Sequence, residues 1–254
     1  MTINGGKPAN VKGVNKMQYF DYKGNCSIVD EIYDVVVVGG GTAGSTAAIA
    51  SAREGAKTLI VERNTYLGGS ATGAQVTPMM HSGIIGNSDS SYINKFIKKK
   101  LKEENYGASD PYGNDGWFNP EMLKFILEEE YIGSGGHVLY DTEFIDSEVE
   151  DGEIKGIIVH NRSGLLKIRG NVFIDCTGDA ELSFKSGVEC FKGSEKSGEN
   201  QAVSLRFILG NIDLKHLIDF LKAIHEPMCI KYPLVEIAAI PSWDRPLSNI
   251  FKKA

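Results

Sequence analysis

Residues 34 to 62, DVVVVGGGTAGSTAAIASAREGAKTLIVE, constrain the fold more than any other stretch. Four consecutive valines, Val35 to Val38, form an all-apolar run suited to a strand buried on both faces. Gly39-x-Gly41-x-x-Gly44 follows, and then the small residues Ala47, Ala48, Ala50 and Ala52 on a helical stretch. A second apolar run, Thr58 to Val61, ends in Glu62. This order is a βαβ unit. Gly39 permits the tight turn out of the strand, Gly41 lets a pyrophosphate approach the backbone, and Gly44 lets the helix pack close to the sheet. Free N–H groups at the helix start favour an anion. Glu62 lies 23 positions after Gly39, near the spacing expected of a carboxylate that accepts hydrogen bonds from an adenosine ribose. Glycine-rich turns are common, and a bare GxGxxG also fits an ordinary βα loop. The complete ordered context favours a bound adenine dinucleotide.

Composition excludes several other classes. The 254 residues carry a net charge of −6, which argues against nonspecific nucleic-acid binding. Hydrophobic content of 42% with 24% charged residues reads as soluble and globular. No apolar run approaches the roughly 18 residues that span a bilayer, so no membrane partner is expected. The N-terminus lacks the apolar core of a signal peptide. Cys26, Cys176, Cys190 and Cys229 form no CxxC pair, which suits neither a disulfide framework nor a compact metal site. Reduced cysteines in a cytoplasmic protein are the plain expectation.

Residues 1–32 read as an N-terminal extension. After Glu62, the Gly68-Gly69-Ser70 loop with Thr72 and Gly73 suits either a surface loop or backbone passing close to an extended cofactor. Residues 91–104 fit a helix through Ile93, Phe96, Ile97 and Leu101, with lysines 95, 98, 99, 100 and 102 as its solvated face. Asn119-Pro120-Glu121 starts another helix, which Gly133 to Gly136 ends. A strand from Val138 to Ile145, then Ile154 to Val159 and Leu165 to Ile168, reads as an antiparallel meander. Asp151-Gly152 and Asn161 to Gly164 supply its turns. Val172 to Cys176 then runs into Thr177-Gly178-Asp179 with a short helix behind, Ala180 to Ser186. Ser204 to Leu209 reads as a strand, and Asp213 caps a helix through Leu214, Leu217, Ile218, Leu221 and Ile224.

These stretches together carry a family likeness. DVVVVGGGTAG, TLIVERNTYLGG, FNPEMLKFILEEE, the HVLYDTEFIDSEVEDGEIKGIIVHNRSG meander, VFIDCTGDAELSFKSGV and QAVSLRFILGNID cover roughly residues 33 to 213. The chain resembles the FAD-dependent oxidoreductases of the glutathione-reductase-like flavoprotein superfamily. Within it, the likeness is to the group related to the flavin-binding region of heterodisulfide reductase. The resemblance implies an α/β architecture: a Rossmann-like FAD-binding βαβ domain with an antiparallel β-meander, then an incomplete α+β substrate domain. The FAD domain would span 33–190 with a helical insertion at about 81–134, and the substrate domain would begin at 191–254. The resemblance further implies that Gly39, Gly41, Ala43 and Gly44 face the FAD pyrophosphate, and that Glu62 holds the adenosine ribose with Arg63 beside it. Gly68, Gly69 and Ser70 would line the path to the ribityl chain, the backbone near Glu143 and Phe144 would meet the adenine, and Thr177, Gly178 and Asp179 would form a second cofactor turn. An iron–sulfur cluster enters by family association alone, without support from cysteine spacing. Relatives continue through the substrate domain and return to the cofactor fold near the C-terminus. No such return is legible here, so a truncated chain, or a partner chain completing the site, is expected.

Three functions follow. The first is an FAD-dependent oxidoreductase moving a hydride or electron pair between FAD and a small-molecule substrate, with an unidentified electron donor or acceptor. His81, after the second glycine loop, and Arg206, in SLRF, are its candidate catalytic residues. A loop histidine and a strand-surface salt bridge are the plain alternatives for these two. The second is a truncated or degenerate FAD- or nucleotide-binding module without catalysis. The third is an NAD-dependent dehydrogenase, against which stand the Gly68-Gly69 loop and the Thr177-Gly178-Asp179 turn. Glu62 also disfavours a 2′-phosphate through charge repulsion.

Overall fold

The valine run forms the last four residues of β1 (Ser27–Val38), which leads through the glycine turn to α1 (Thr42–Arg53) and β2 (Thr58–Val61). β1 thus begins inside the extension expected over 1–32, because Ser27, Ile28 and Ile32 pair with the later strand Gly164–Asp175. The computed structural model describes residues 26–77, 79, 92–108, 116–203, 205–206, 210–213, 215–217 and 219. β1 and β2 are parallel, from Val35 opposite Thr58 to Val38 opposite Val61. Val37 is buried in one core while Val36 and Val38 are buried in another. Successive strand residues point to opposite faces, so covering both faces demands the unbroken apolar run.

The rest of the first layer is helical. α2 (Tyr92–Glu103) is followed by the short antiparallel pair β3 (Gly107–Ala108) and β4 (Trp117–Phe118), and then α3 (Pro120–Gly133). Asn119 caps α3 as its sequence predicts: Oδ1 accepts from the N–H groups of Glu121 and Met122, and Pro120 opens the helix. The three helices bury Ile49, Ile97, Leu101, Leu123, Ile126 and Leu127 against Val37 and Ile60 of the sheet. The buried Tyr131 hydroxyl faces the carbonyls of Thr58 and His137, 2.8 Å from each, which ties α3 to two strand starts. The lysine run of α2 departs from a purely solvated face. Lys98 is only 7% exposed, and Lys100 pairs with Glu129 and Glu130 of α3 at 2.6 Å. Arg53 of α1 reaches the same Glu130 at 2.8 Å and lies over the Phe96 ring. These charges stitch helices together because each sits at a helix–helix seam.

Four strands complete the sheet: β5 (His137–Leu139), β6 (Glu143–Glu150), β7 (Glu153–Asn161) and β8 (Gly164–Asp175). The strand order is β5-β2-β1-β8-β7-β6. β5 pairs parallel with β2, and β6 and β7 pair antiparallel. Two expectations are corrected. The single strand expected from Val138 to Ile145 is two, because Asp141 turns the chain with φ +50°. The Asp141 and Thr142 N–H groups there bond the carbonyls of Asn64 and Glu62. Conversely, Leu165–Ile168 and Val172–Asp175 are one strand, β8, antiparallel to β7 from Gly164 to Ile168 and parallel to β1 from Leu166 to Asp175. Gly170 does not break it. A Cβ there would lie 2.7 Å from Val36 Cγ2, so the glycine makes room for a core side chain. The Asp151-Gly152 turn has φ of +52° and +81°, the left-handed pair that a two-residue hairpin needs. The meander buries Ile157, Val159 and Ile168 against Val36, Val38, Leu59 and Val61 on the second face.

A short α4 (Glu181–Lys185) follows β8. Beyond it, Leu205 and Arg206 are exposed and outside any strand, while Ser204 and 207–209 of the expected strand lie outside the described residues. Asp213 does cap a helical turn, its Oδ1 accepting from the N–H groups of Lys215 and His216. Leu214, Ile218, Leu221 and Ile224 lie outside the described residues. Among the described residues, no helix is long and apolar enough to cross a membrane.

Candidate dinucleotide-binding site

β1, β2 and β8 end side by side, with Val38 opposite both Val61 and Asp175. The strands that follow β1 first, β2 and β5, lie on one side of it, and the later strands, β6 to β8, lie on the other, so the strand order changes sides at β1. Open α/β sheets bind ligands at the carboxyl ends of strands at such a point. The glycine turn stands there. Gly39 takes φ +95°, and a Cβ on it would lie 2.3 Å from the Cys176 carbonyl oxygen. A Cβ on Gly44 would lie 1.8 Å from the Gly39 oxygen. Both glycines are therefore required by the protein's own packing. Gly41 differs. A Cβ there would meet nothing closer than the Gly69 Cα at 3.9 Å, and φ is an ordinary −67°. Gly41 is also the residue before α1, and it offers no side chain to the helix's first N–H groups. Ala43, in the first turn, is exposed.

The second glycine loop docks on the first. The Gly68 N–H donates to the Gly40 oxygen at 2.9 Å, and Thr42 Oγ1 donates to the Gly68 oxygen at 3.0 Å. Thr42 Oγ1 also lies 3.3 Å from Ser70 Oγ. Gly69 is glycine by close approach, since a Cβ on it would be 2.8 Å from the Gly41 Cα. The loop is fixed from below by Thr72, buried, whose Oγ1 donates to the Leu67 oxygen at 2.7 Å. Two stretches separated by a helix and a strand are thus joined by direct bonds at the start of α1.

Glu62 sits beside it, only 5% exposed. Its Oε2 accepts from the Gly40 N–H at 2.7 Å, and its Oε1 accepts from both the backbone N–H and the side-chain amide of Asn64, each at 2.7 Å. A carboxylate has about four acceptor sites, so one remains. Arg63 is exposed. The Glu62 carbonyl oxygen accepts from the N–H of Thr142, and the buried Thr142 hydroxyl accepts from Asn161 at 3.3 Å. These bonds bring the exposed Glu143 and half-buried Phe144 to the β2 side of the site.

On the other side of β1, the Thr177-Gly178-Asp179 turn leans on the first glycine turn. The Thr177 nitrogen lies 3.0 Å from the Cβ position of Gly39. Gly178 takes φ +89°, and Gly178 and Asp179 are exposed. Asp175 anchors the turn. Burial pushes its carboxyl up, but hydrogen bonds from Ser183 and Thr177 outweigh this and hold it below the ordinary carboxylate range. Burial, and then the Asp175 charge, push the neighbouring Cys176 thiol up, away from reactivity.

Sequence reasoning missed Gly40, Asn64, Asp175 and Ser183. An amide two residues after the strand-ending acid, and an aspartate two residues before Thr177, were the available signals. Of the two candidate catalytic residues, Arg206 is exposed and His81 lies outside the described residues. Among the described residues, no group of three or more His, Cys, Asp or Glu side chains is placed to hold a metal ion.

Residues 34–246 match the family described as FAD dependent oxidoreductase. The chain belongs to that family. The FAD dependent oxidoreductase match runs from Asp34, just before the valine run of β1, past Asp213, so it includes both glycine loops and the Thr177-Gly178-Asp179 turn. Among curated proteins, the chain is similar to digeranylgeranylglycerophospholipid reductase of Thermoplasma volcanium, 26% identical over 198 residues. That match covers 72% of this chain and 48% of the relative. It is also similar to the tRNA uridine 5-carboxymethylaminomethyl modification enzyme MnmG of Clostridium botulinum, 34% identical over 142 residues, covering 51% of this chain and 22% of that one. The chain therefore spans about half the length of the first relative and about a fifth of the second. Among solved structures, a geranylgeranyl bacteriochlorophyll reductase-like protein of Thermoplasma acidophilum aligns with TM-score 0.45 and 23% identity, over 65% of this chain and 43% of that one. FAD is the cofactor the family implies. The residues present fit it: among the described residues, Gly41 is the one glycine of the fingerprint whose Cβ position meets no clash, its nearest neighbour being the Gly69 Cα at 3.9 Å.

Proposed function

We propose that this chain is the cofactor-holding part of an FAD-dependent oxidoreductase that moves a hydride or an electron pair between FAD and a small-molecule substrate. The observation that carries the reading is the open side of Gly41, framed by the docked Gly68-Gly69-Ser70 loop and flanked by Glu62. Bound FAD supplies the two-electron chemistry, and the chain supplies position and charge. Gly39, Gly41, Ala43 and Gly44 offer backbone and a helix start to the pyrophosphate. Glu62, with Arg63 beside it, offers its remaining acceptor site to an adenosine ribose hydroxyl. Backbone at Glu143 and Phe144 receives the adenine, and Gly68, Gly69, Ser70 and the Thr177-Gly178-Asp179 turn guide the ribityl chain. Arg206 and His81 are the candidates for substrate-side roles. Alanine at either lowers turnover and leaves FAD bound.

The test is to purify the protein, record its visible absorbance, and identify the cofactor released on denaturation. A flavin spectrum with released FAD supports the reading. Released NAD would replace FAD with a nicotinamide cofactor, and a colourless protein that FAD cannot reconstitute would overturn the reading for this chain.

A further inference from the structure

At the end of β8, one carboxylate organises an entire turn. Asp175 Oδ1 accepts from the Thr177 N–H at 3.1 Å and the Thr177 hydroxyl at 2.8 Å. Oδ2 accepts from the Ser183 N–H at 2.8 Å and the Ser183 hydroxyl at 2.7 Å. Thr177 Oγ1 in turn accepts from the Glu181 N–H at 2.9 Å. All of the roughly four acceptor sites of the carboxylate are taken. Asp175 therefore has no capacity left for a ligand, although it stands at the end of a central strand beside the glycine turn.

The bonds hold a conformation the chain would not choose. Ala180 sits at φ +56° and ψ +37°, in the left-handed region disfavoured for a residue with a Cβ. Such residues persist where their surroundings over-determine them, and they cluster at functional sites. The closure runs from Thr177 to Ser183 and so spans Gly178, Asp179 and Ala180. Among the described residues, nothing lies within 4 Å of the Cβ position of Gly178, and Gly178 and Asp179 are exposed.

The place of that turn follows from the sheet. Glu62 ends β2 on one side of β1, and the restrained turn follows β8 on the other. A dinucleotide with its adenosine ribose on Glu62 and its pyrophosphate at Gly41 has its remaining half running toward β8. We infer that Asp175 is a positioning residue, which through Thr177 and Ser183 presets the turn 177–179 for the ribityl half of the cofactor. The inference rests on the FAD reading above.

The experiment compares FAD with ADP, which carries the adenosine and pyrophosphate without the ribityl half. Binding of each is titrated to the full chain as wild type, Asp175→Asn, Ser183→Ala and Ser183→Thr, with a thermal melt of each variant. Asp175→Asn and Ser183→Ala are expected to weaken FAD about tenfold, the scale of one lost charge-assisted hydrogen bond, and to change ADP less than about twofold. Ser183→Thr keeps the hydroxyl and is expected to keep FAD affinity near wild type. Equal losses of FAD and ADP, unchanged FAD affinity in Ser183→Ala, or failure of the threonine to rescue would overturn the inference. If Asp175→Asn does not fold, the two Ser183 variants decide. A wild type that binds neither FAD nor ADP overturns the FAD reading itself, and this inference with it.

Discussion

Gly41 and Gly44 lie three residues apart in one motif, yet they are glycine for opposite reasons, and a pair of alanine variants separates them. A Cβ at Gly44 would sit 1.8 Å from the Gly39 oxygen and 3.0 Å from Cys176 Cβ, inside packed backbone. Overpacking of this kind costs about 1–3 kcal/mol. For a domain of this size that is a fall in melting temperature of roughly 2–10 °C. Gly41→Ala meets nothing closer than 3.9 Å, at a φ of −67° that alanine adopts freely. Alanine is a poorer helix cap than glycine but has fewer unfolded conformations to lose. These effects oppose each other and are each below about 1 kcal/mol. The melting temperature of cofactor-free Gly41→Ala should therefore stay within about 3 °C of wild type.

Binding should show the reverse emphasis. With the pyrophosphate at Gly41 as proposed, a methyl group there pushes the ligand aside at a cost of about 1–3 kcal/mol, or roughly 5- to 150-fold in Kd. The assay is a melt of the cofactor-free protein together with a flavin-fluorescence titration of FAD. Wild-type FAD affinity in Gly41→Ala would refute the reasoning, because the open side of Gly41 would then face no ligand. So would a Gly41→Ala melting temperature as low as that of Gly44→Ala, because Gly41 would then be structural.

Other expectations concern the two carboxylates. Glu62→Gln should weaken ADP and FAD alike, by about tenfold or more, since hydrogen bonds to a charged group are worth about 1.5–3 kcal/mol; calorimetry with both ligands checks this. Asn64→Ala removes one of the two Asn64 bonds to Glu62 and should cost about threefold in ADP affinity. It should cost nothing further on a Glu62→Gln background, and an additive double mutant would show that Asn64 does not act through Glu62. The Asp175 carboxyl is held below its ordinary value of 3.8 in the fold, so its contribution to stability is fully present above that pH and lost as pH falls below it. Urea melts between about pH 5 and 2.5 should therefore show a shallower acid-side loss in Asp175→Asn than in wild type.

The βαβ unit was legible because its signals are local and redundant: valine run, glycine spacing, small-residue helix and terminal acid all fall within residues 34 to 62. The α3 cap was legible for the same reason, since Asn119 and Pro120 act on adjacent backbone. What escaped depends on partners distant in sequence. The split of β5 from β6 follows from Asp141 and Thr142 bonding to residues 64 and 62. Lysines 98 and 100 leave the solvated face: the first is buried, and α3, some 30 residues later, holds the second. The continuity of β8 through Gly170 depends on Val36, which needs the space. Within the site, the two glycine loops are joined by bonds that link Gly68 and Ser70 to Gly40 and Thr42, and neither Gly40 nor Thr42 was an expected site residue. Their supports, Asn64 and Asp175, act on other protein groups and carry no motif of their own.

The two strand-ending acids differ in what they can still offer a ligand. β2 and β8 flank β1 on either side, and each delivers a carboxylate to the same edge of the sheet. A carboxylate at a strand's carboxyl end is the usual candidate for a ligand contact, so position alone would nominate both. Acceptor capacity separates them. Asp175 spends both oxygens on Thr177 and Ser183 within its own turn and has nothing left to offer. Glu62 makes three bonds, one of them to the N–H of Gly40 inside the glycine turn, and keeps one acceptor site. Of these two carboxylates, the one on the β2 side therefore keeps room for a further donor, while the one on the β8 side does not. The site is consequently asymmetric before any ligand enters it. One end keeps an acceptor site on a charged side chain, and the other is a turn closed by bonds to its own carboxylate.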